Sequence, residues 1–491
     1  MTYNHFFTPV SITGLRSSAY GNERIIMLAK HVQGEEAEAT LSPLFGQRSM
    51  DSSIPRWQIP ETELSGSAAY QLIHDEMSLD GNPLLNLASF VTTWMDPEAQ
   101  LLMQEALPKN FIDAEEYPQT AEIERRCVSI IADLFHAQAS GQQAMGTSTV
   151  GSSEAIHLCG LALKWNWRKR RAAAGLSTST PNIVMGANVQ VVWEKFVRYF
   201  DIEARYVDMA PDRSIIGVPE VLALVDENTI AVVGILGSTY TGEFEPIEAL
   251  DAAIVELNAK TGWQVPIHVD AASGGFVAPF AYPDLKWDFR LPSVRSINTS
   301  GHKYGLVYPG VGWAIWRDTS DLPDELLFHD NYLGNDQITF DLNFSKGSSQ
   351  IIGQYYNFLR LGRDGYTRIM NNLLDTANEI ADAIIATGDF ELVSSRQALP
   401  LVTVKLKGKR RYTCHDLSEE LRLRGWIVPA YTLPPKLDDV EVLRIVVREG
   451  FSRDMADNLI LDLTAAVAKL DQSPPAKPTK KPHSRSKNKV C

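Results

Sequence analysis

A chain of 491 residues with 44% apolar and 22% charged side chains has the composition of a folded, enzyme-sized globular protein. Its net charge of −14 is uneven, because residues 472–491 hold six of the 46 Lys and Arg and none of the 60 Asp and Glu, which leaves residues 1–471 with 40 basic against 60 acidic side chains, a net of −20. So acidic a body does not suit nucleic acid, and four cysteines spread over positions 127, 159, 414 and 491 support neither a disulfide framework nor a zinc site.

The start, Met1-Thr2-Tyr3-Asn4-His5, lacks the basic-then-apolar run of a signal peptide. The uncharged, apolar-containing run Asn228 to Gly242 is broken by Gly and Thr and falls short of a membrane span. A cytoplasmic protein with reduced cysteines and no membrane partner is expected. Residues 1 to about 56 show one weak amphipathic stretch, Ile25 to Val32, and read as an oligomer-contact or flexible arm. From about residue 66 the spacing of Ala68, Ala69, Leu72, Ile73 and Met77 predicts a helix, closed by the turn signal Leu79-Asp80-Gly81-Asn82-Pro83.

Gly146 to Ala155 reads as the opening of a helix that runs to Gly175. Gly-Ser-Ser at a helix start is a good N-cap in its own right, and its backbone N–H groups, hydroxyls and helix dipole also suit an anion. The cations Arg168 to Arg171 at the far end complement the helix C-terminus. Between 182 and 297 β-rich runs (183–185, 230–235, 265–269, 293–297) alternate with helical segments (192–200, 247–261), which predicts a mostly parallel sheet with helices on its faces.

Two stretches in this region carry chemistry. Val265-Pro266-Ile267-His268-Val269-Asp270-Ala271-Ala272 is a β-branched strand that ends in an aspartate and two alanines, and Ser300-Gly301-His302-Lys303 follows 33 residues later at the end of the next strand. Strand ends are where α/β enzymes hold their ligands. A lone His-Lys pair is ordinarily a solvated loop lysine. A lysine restrained in a turn that faces a pocket can instead have its pKa lowered and act as a carbonyl nucleophile. Pyridoxal phosphate needs a lysine for its covalent link, a carboxylate for its ring nitrogen and small residues against its ring, and Lys303, Asp270 and Ala272 supply all three. Beside them, Ser152 and Ser153 read as the cup for its phosphate.

Together Asp270-Ala-Ala and Ser300-Gly-His-Lys303 resemble the fold-type I, group II amino acid decarboxylases. The chain is most similar to the glutamate decarboxylases within them, from about residue 57 to 470. The resemblance implies an α/β fold with a large pyridoxal phosphate domain, a mostly parallel mixed sheet with helices on both faces, and a small C-terminal α+β domain. It puts Ser300 and His302 at the cofactor with Lys303, lays Gln190 over the ring and sets Thr239 beside ring and substrate. Ser89, where a threonine is common, and Phe90 line the substrate end. Asp113 meets the distal carboxylate of substrate, which requires a shared proton and an acidic pH. Arg444 clamps a substrate carboxylate, as the bidentate fit of guanidinium allows. Tyr332 belongs to a mobile loop that assists protonation, and Ser345 completes the phosphate site from a neighbouring subunit. A homo-oligomer built from dimers follows, with a hexamer as one such assembly.

After Tyr366 a helical period leads to a small domain of strands at 401–406 and 442–447 and helices at 414–424 and 455–470. The expected organisation is 1–84, N-terminal arm and helices; 85–373, cofactor domain; 374–472, small domain; and 473–491, a disordered Pro- and Lys-rich tail. Because the tail lacks apolar anchors, calmodulin is not an expected partner. The expected activity is α-decarboxylation of L-glutamate to 4-aminobutyrate and CO2, with His302 and Tyr332 joining Lys303 and Asp270 in catalysis. Another pyridoxal phosphate decarboxylase or lyase acting on a related amino acid stays open, since Lys303 and Asp270 are common to those reactions. A non-enzymatic anion-binding scaffold, favoured only by the basic tail, is a further alternative.

Overall fold

A computed structural model describes residues 57–137, 145–330 and 337–472. The chain divides into two units, residues 1–81 and 82–491. The first holds helix α1 (Gly66–Met77), capped by Ser65, whose hydroxyl accepts from the Ala68 N–H. The arm, the loop around Tyr332, the basic tail and Cys491 lie outside the described residues.

The second unit opens with α2 (Pro97–Ala106) and α3 (Pro118–Leu134), each with proline in its first turn, where a missing N–H costs nothing. The chain then runs through β1 (Met145–Thr149), α4 (Ser152–Ala173), β2 (Asn182–Gly186), α5 (Val191–Tyr199), β3 (Glu203–Val207), α6 (Val218–Leu222), β4 (Thr229–Ile235), α7 (Ile247–Thr261), β5 (Ile267–Asp270), α8 (Ala278–Ala281), β6 (Val294–Thr299) and β7 (Gly312–Trp316). These seven strands form one sheet in the order β1-β7-β6-β5-β4-β2-β3. Pairings from β3 to β6 are parallel; β7 runs antiparallel to both β6 and β1.

Alternation along the strands explains the layers. Ile183, Met185, Val233 and Ile235 pack with Ile156 of α4 and Trp193 and Phe196 of α5. Val184, Val232, Ile267 and Val269 face the other way, into the layer that holds Leu250 and Ile254 of α7. A strand apolar on both sides must be covered on both sides, so helices lie on both faces.

The hairpin β8 (Phe328–Asp330) and β9 (Gln337–Thr339) precedes α9 (Ser349–Ala386). The helical reading from Tyr366 thus captures only the second part of α9. Gly362, at φ 58° and ψ −174°, breaks its helical geometry and sets apart a first third, packed on α2 and α3. The remaining elements are β10 (Phe390–Leu392), β11 (Leu401–Leu406), α10 (Cys414–Arg422), β12 (Ala430–Thr432), β13 (Glu441–Val446) and α11 (Arg453–Gln472). Their strands make an antiparallel sheet in the order β10-β11-β13-β12. The expected helix opening at Gly146 is corrected here: residues 145–149 are an edge strand, and the helix starts at Ser152.

Candidate active site

The carboxyl ends of β4, β5 and β6 converge on a cleft of about 430 Å³ with the start of α4 across from them. Its lining includes Ser152, Ser153, Gln190, Thr239, Asp270, Ala272, Ser300, His302 and Lys303, nine side chains from five separate stretches of sequence. Their convergence follows from the parallel register, in which β5 and β6 end side by side with Asp270 opposite Asn298.

Lys303 follows β6 in a tight turn. Its backbone is anchored through the Thr92 hydroxyl, which donates to the Lys303 carbonyl over 2.7 Å, and its Nζ donates to Ser273 Oγ over 3.1 Å. Burial lowers the Lys303 amine to about 8; Asp270 opposes that shift and Arg444 adds to it. His302 is held near 4, by burial first and then by the Lys303 charge. Its Nδ1 accepts from the Val311 N–H, so the ring is a neutral group with its proton on Nε2.

Asp270 is buried and accepts three hydrogen bonds, from Trp193 Nε1 (2.9 Å), Asn298 Nδ2 (3.0 Å) and the Ala272 N–H (3.1 Å). All three donors are neutral, so the anion is stabilised without a cation that would compete for it. At the other end Ser152 Oγ and Ser300 Oγ lie 2.8 Å apart. Glu154 fixes this end: its carboxylate accepts from the Val150 N–H (2.8 Å) and from the N–H groups of Leu342 (3.1 Å) and Asn343 (3.4 Å). Gly312 permits the approach, since a Cβ there would stand 2.5 Å from the Gly151 carbonyl carbon and 2.7 Å from the Ser152 nitrogen. Gln190 caps α5, with its Oε1 accepting from the Val192 N–H over 2.6 Å.

Phe90 and Arg444 adjoin the cleft. The Phe90 ring centroid lies 5.5 Å from Lys303 Nζ and 4.9 Å from the Arg444 guanidinium carbon. Arg444, on β13, is buried and donates to the carbonyls of Thr239 and Ala88, and its Nε has no partner among the described residues. Ser89 turns its hydroxyl to the Val91 N–H.

Asp113 and Ser345 do not line the cleft of their own chain. They lie together elsewhere, both within 3.4 Å of Asn110 Nδ2. Tyr332 falls outside the described residues. Among the described residues no group of His, Cys, Asp and Glu could hold a metal, and no helix is long and apolar enough to cross a membrane.

A profile of the pyridoxal-dependent decarboxylase conserved domain matches residues 60–407. The chain belongs to the pyridoxal-dependent decarboxylase family. It is 53% identical over 440 residues to glutamate decarboxylase 5 of Arabidopsis thaliana, a match that covers 89% of both chains. With glutamate decarboxylase beta of Listeria innocua it shares 48% identity over 443 residues, 89% of this chain and 95% of the relative. The solved structure of the Lactobacillus brevis glutamate decarboxylase superposes with a TM-score of 0.86 at 48% identity, covering 89% of this chain and 99% of that one.

The residues of this decarboxylase fit pyridoxal phosphate by their own chemistry: an amine of lowered pKa, a carboxylate surrounded by neutral donors, and hydroxyls at a helix start share one cleft. Sequence reasoning missed Trp193 and assigned no part to His268, Ser273 or Asn298. A signal for two of them was present, since His268 and Asp270 alternate along β5 and Ser296 and Asn298 along β6, polar residues at every second position and so on one side of each strand. Trp193 gave no signal, because a tryptophan on an apolar helix face reads as core.

Proposed function

We infer that the chain is a carboxy-lyase that removes the α-carboxylate of L-glutamate, yielding 4-aminobutyrate and CO2. About half identity along nine-tenths of the chain to glutamate decarboxylases of a plant and of bacteria is the observation that carries the substrate. Pyridoxal phosphate, when bound, supplies the electron sink that loss of CO2 from Cα requires.

The chain's own residues do the rest. Lys303, with its amine lowered to about 8, keeps a usable neutral fraction near pH 7 and is the group to hold the cofactor. Asp270 presents an anion to the ring nitrogen. Ser152, Ser153 and Ser300 offer donors to the phosphate, and Ala272, Gln190 and His302 bound the ring. Arg444 receives a substrate carboxylate. Its burial between Phe90 and Tyr431, with carbonyl partners and an unpartnered Nε, supports that role. Lys303, or a group that Tyr332 assists, returns a proton to Cα.

Asp113 and Ser345 enter from a second copy. Asn110 ties them to each other, so one subunit would deliver both to its partner's cleft, Ser345 to the phosphate and Asp113 with Ser89 and Phe90 to the distal carboxylate. A dimer is the minimum assembly on this reading. The buried thiols Cys127, Cys159 and Cys414 support a reducing, cytoplasmic location.

Incubating the purified protein with each of the twenty amino acids and analysing products tests the function: 4-aminobutyrate and CO2 from L-glutamate are expected. A preferred substrate other than glutamate overturns the assignment. Borohydride trapping should place the cofactor on the peptide that contains Lys303.

A further inference from the structure

Behind Asp270 lies a buried polar chain that the reaction as described does not use. Asn298 Nδ2 lies 3.0 Å from Asp270 Oδ1, Asn298 Oδ1 lies 2.8 Å from His268 Nε2, and His268 Nδ1 lies 2.8 Å from Ser296 Oγ. Strand register places His268 opposite Ser296 and Asp270 opposite Asn298 across β5 and β6. His268, Ser296, Asn298 and Trp193 are fully buried, so each of their polar atoms must find its partner within the protein.

Such a chain has two self-consistent directions. In the first, the Ser296 hydroxyl donates to His268 Nδ1, His268 Nε2–H donates to Asn298 Oδ1, and the Asn298 amide donates to an ionised Asp270. In the second, a protonated Asp270 donates to a reversed Asn298 amide, which donates to His268 Nε2, and His268 Nδ1–H donates to Ser296. The two differ in whether Asp270 is an anion. Trp193 and Ala272 break the tie. An indole N–H and a backbone N–H can only donate, and both point at Asp270, on Oδ2 and Oδ1 respectively. A protonated Asp270 would have to take these donors on a hydroxyl oxygen and a neutral carbonyl oxygen, both weaker acceptors than the two oxygens of a carboxylate, so the donors favour the anion.

We propose that Trp193 and Asn298, backed by His268 and Ser296, are positioning residues that lock a one-way run of donors onto Asp270 and so hold it as an oriented anion against the cofactor ring nitrogen. The proposal rests on the reading that Asp270 partners that nitrogen. Other titratable groups around Asp270 are Lys303 and His302 after β6, Cys159 on α4 and Glu245 after β4. His268 is held near 4 by burial, so it serves the chain as a neutral ring.

Holoenzyme reconstituted with pyridoxal phosphate labelled with ¹⁵N in the ring tests the proposal, because the ¹⁵N shift reports protonation of that atom directly. Wild type should show a protonated ring nitrogen. Trp193→Phe and Asn298→Leu should each move the resonance toward the unprotonated position and lower kcat at least tenfold with KM for glutamate within about twofold. Borohydride trapping should still give one labelled Lys303 peptide per chain. A wild-type ¹⁵N shift in both variants overturns the proposal, whatever happens to activity, because packing alone would then explain them. Should Asn298→Leu fail to fold, Trp193→Phe, which keeps an aromatic ring in place, decides by the same criterion. If Asp270→Asn leaves the ring nitrogen protonated, the prior reading of Asp270 fails instead, and the two failures are distinct.

Discussion

The Lys303 amine donates to the Ser273 hydroxyl over 3.1 Å, which joins the turn after β6 to the turn after β5 and gives a lysine of lowered pKa a neutral partner. Ser273 can accept from either an ammonium or a neutral amine, so it orients Nζ without fixing its charge. The charge is governed by burial, and that has a consequence for stability.

Below pH 8 Lys303 is charged in both folded and unfolded apoprotein, and the folded state bears the cost of burying the charge. From about 8 to its ordinary 10.5 the unfolded chain holds the extra proton, so this contribution to stability rises with pH and the cost is gone above that range. Apo Lys303→Met should therefore be more stable than wild type at pH 7, by roughly 1–3 kcal/mol once the partial exposure of the side chain is allowed for. Urea denaturation of both proteins at pH 7 and pH 10.5 measures it, and the gap should narrow at the higher pH. A gap independent of pH would mean that packing, not charge, separates the two.

Asp270→Asn should cost at least a thousandfold in kcat, ~4 kcal/mol at ~1.4 kcal/mol per tenfold. The amide offers one oxygen where the carboxylate offers two, while Trp193, Asn298 and Ala272 all present donors. Cofactor affinity, read by titrating the visible absorbance, should weaken as well. Turnover near the wild-type value would remove Asp270 from the site.

Activity should favour acidic over neutral pH. Decarboxylation with protonation at Cα consumes a proton, and an Asp113 carboxylate that faces the substrate's distal carboxylate can do so only with a proton shared between them. Profiles of kcat/KM against pH for wild type and Asp113→Asn should differ, with the alkaline loss flattened in the variant, because an amide donates without titrating. Matching profiles, or a wild-type optimum above neutrality, would exclude Asp113 from the substrate end.

Gly312→Ala should loosen the phosphate end without touching Lys303. Its Cβ would fall 2.5 Å from the Gly151 carbonyl carbon, closer than real contacts allow, so the start of α4 must shift. We expect the Kd for pyridoxal phosphate to rise at least tenfold while the borohydride-labelled peptide stays the same. An unchanged Kd would show that the helix start moves freely and does not set cofactor affinity.

Much of this architecture is local and therefore legible in the sequence. The β-rich runs at 183–185 and 230–235, the helix over 247–261 and the last strands and helix of the small domain stand where their periodicity puts them, because each buries an apolar face that the chain itself spells out. Asp270 and Lys303 are legible for the same reason: a strand end and a Gly-containing turn are short-range features. Tertiary structure alone decided what surrounds them. Only the register of β5 on β6 sets Asn298 against Asp270, and only the packing of α5 on the sheet brings the Trp193 indole within 2.9 Å of it. The part of α9 before Gly362, the edge strand β1 and the closeness of Asp113 to Ser345 through Asn110 depend likewise on partners far away in the chain. A residue's own periodicity carries no record of such partners, so its sequence determines which element it joins and the assembled sheet determines what it touches.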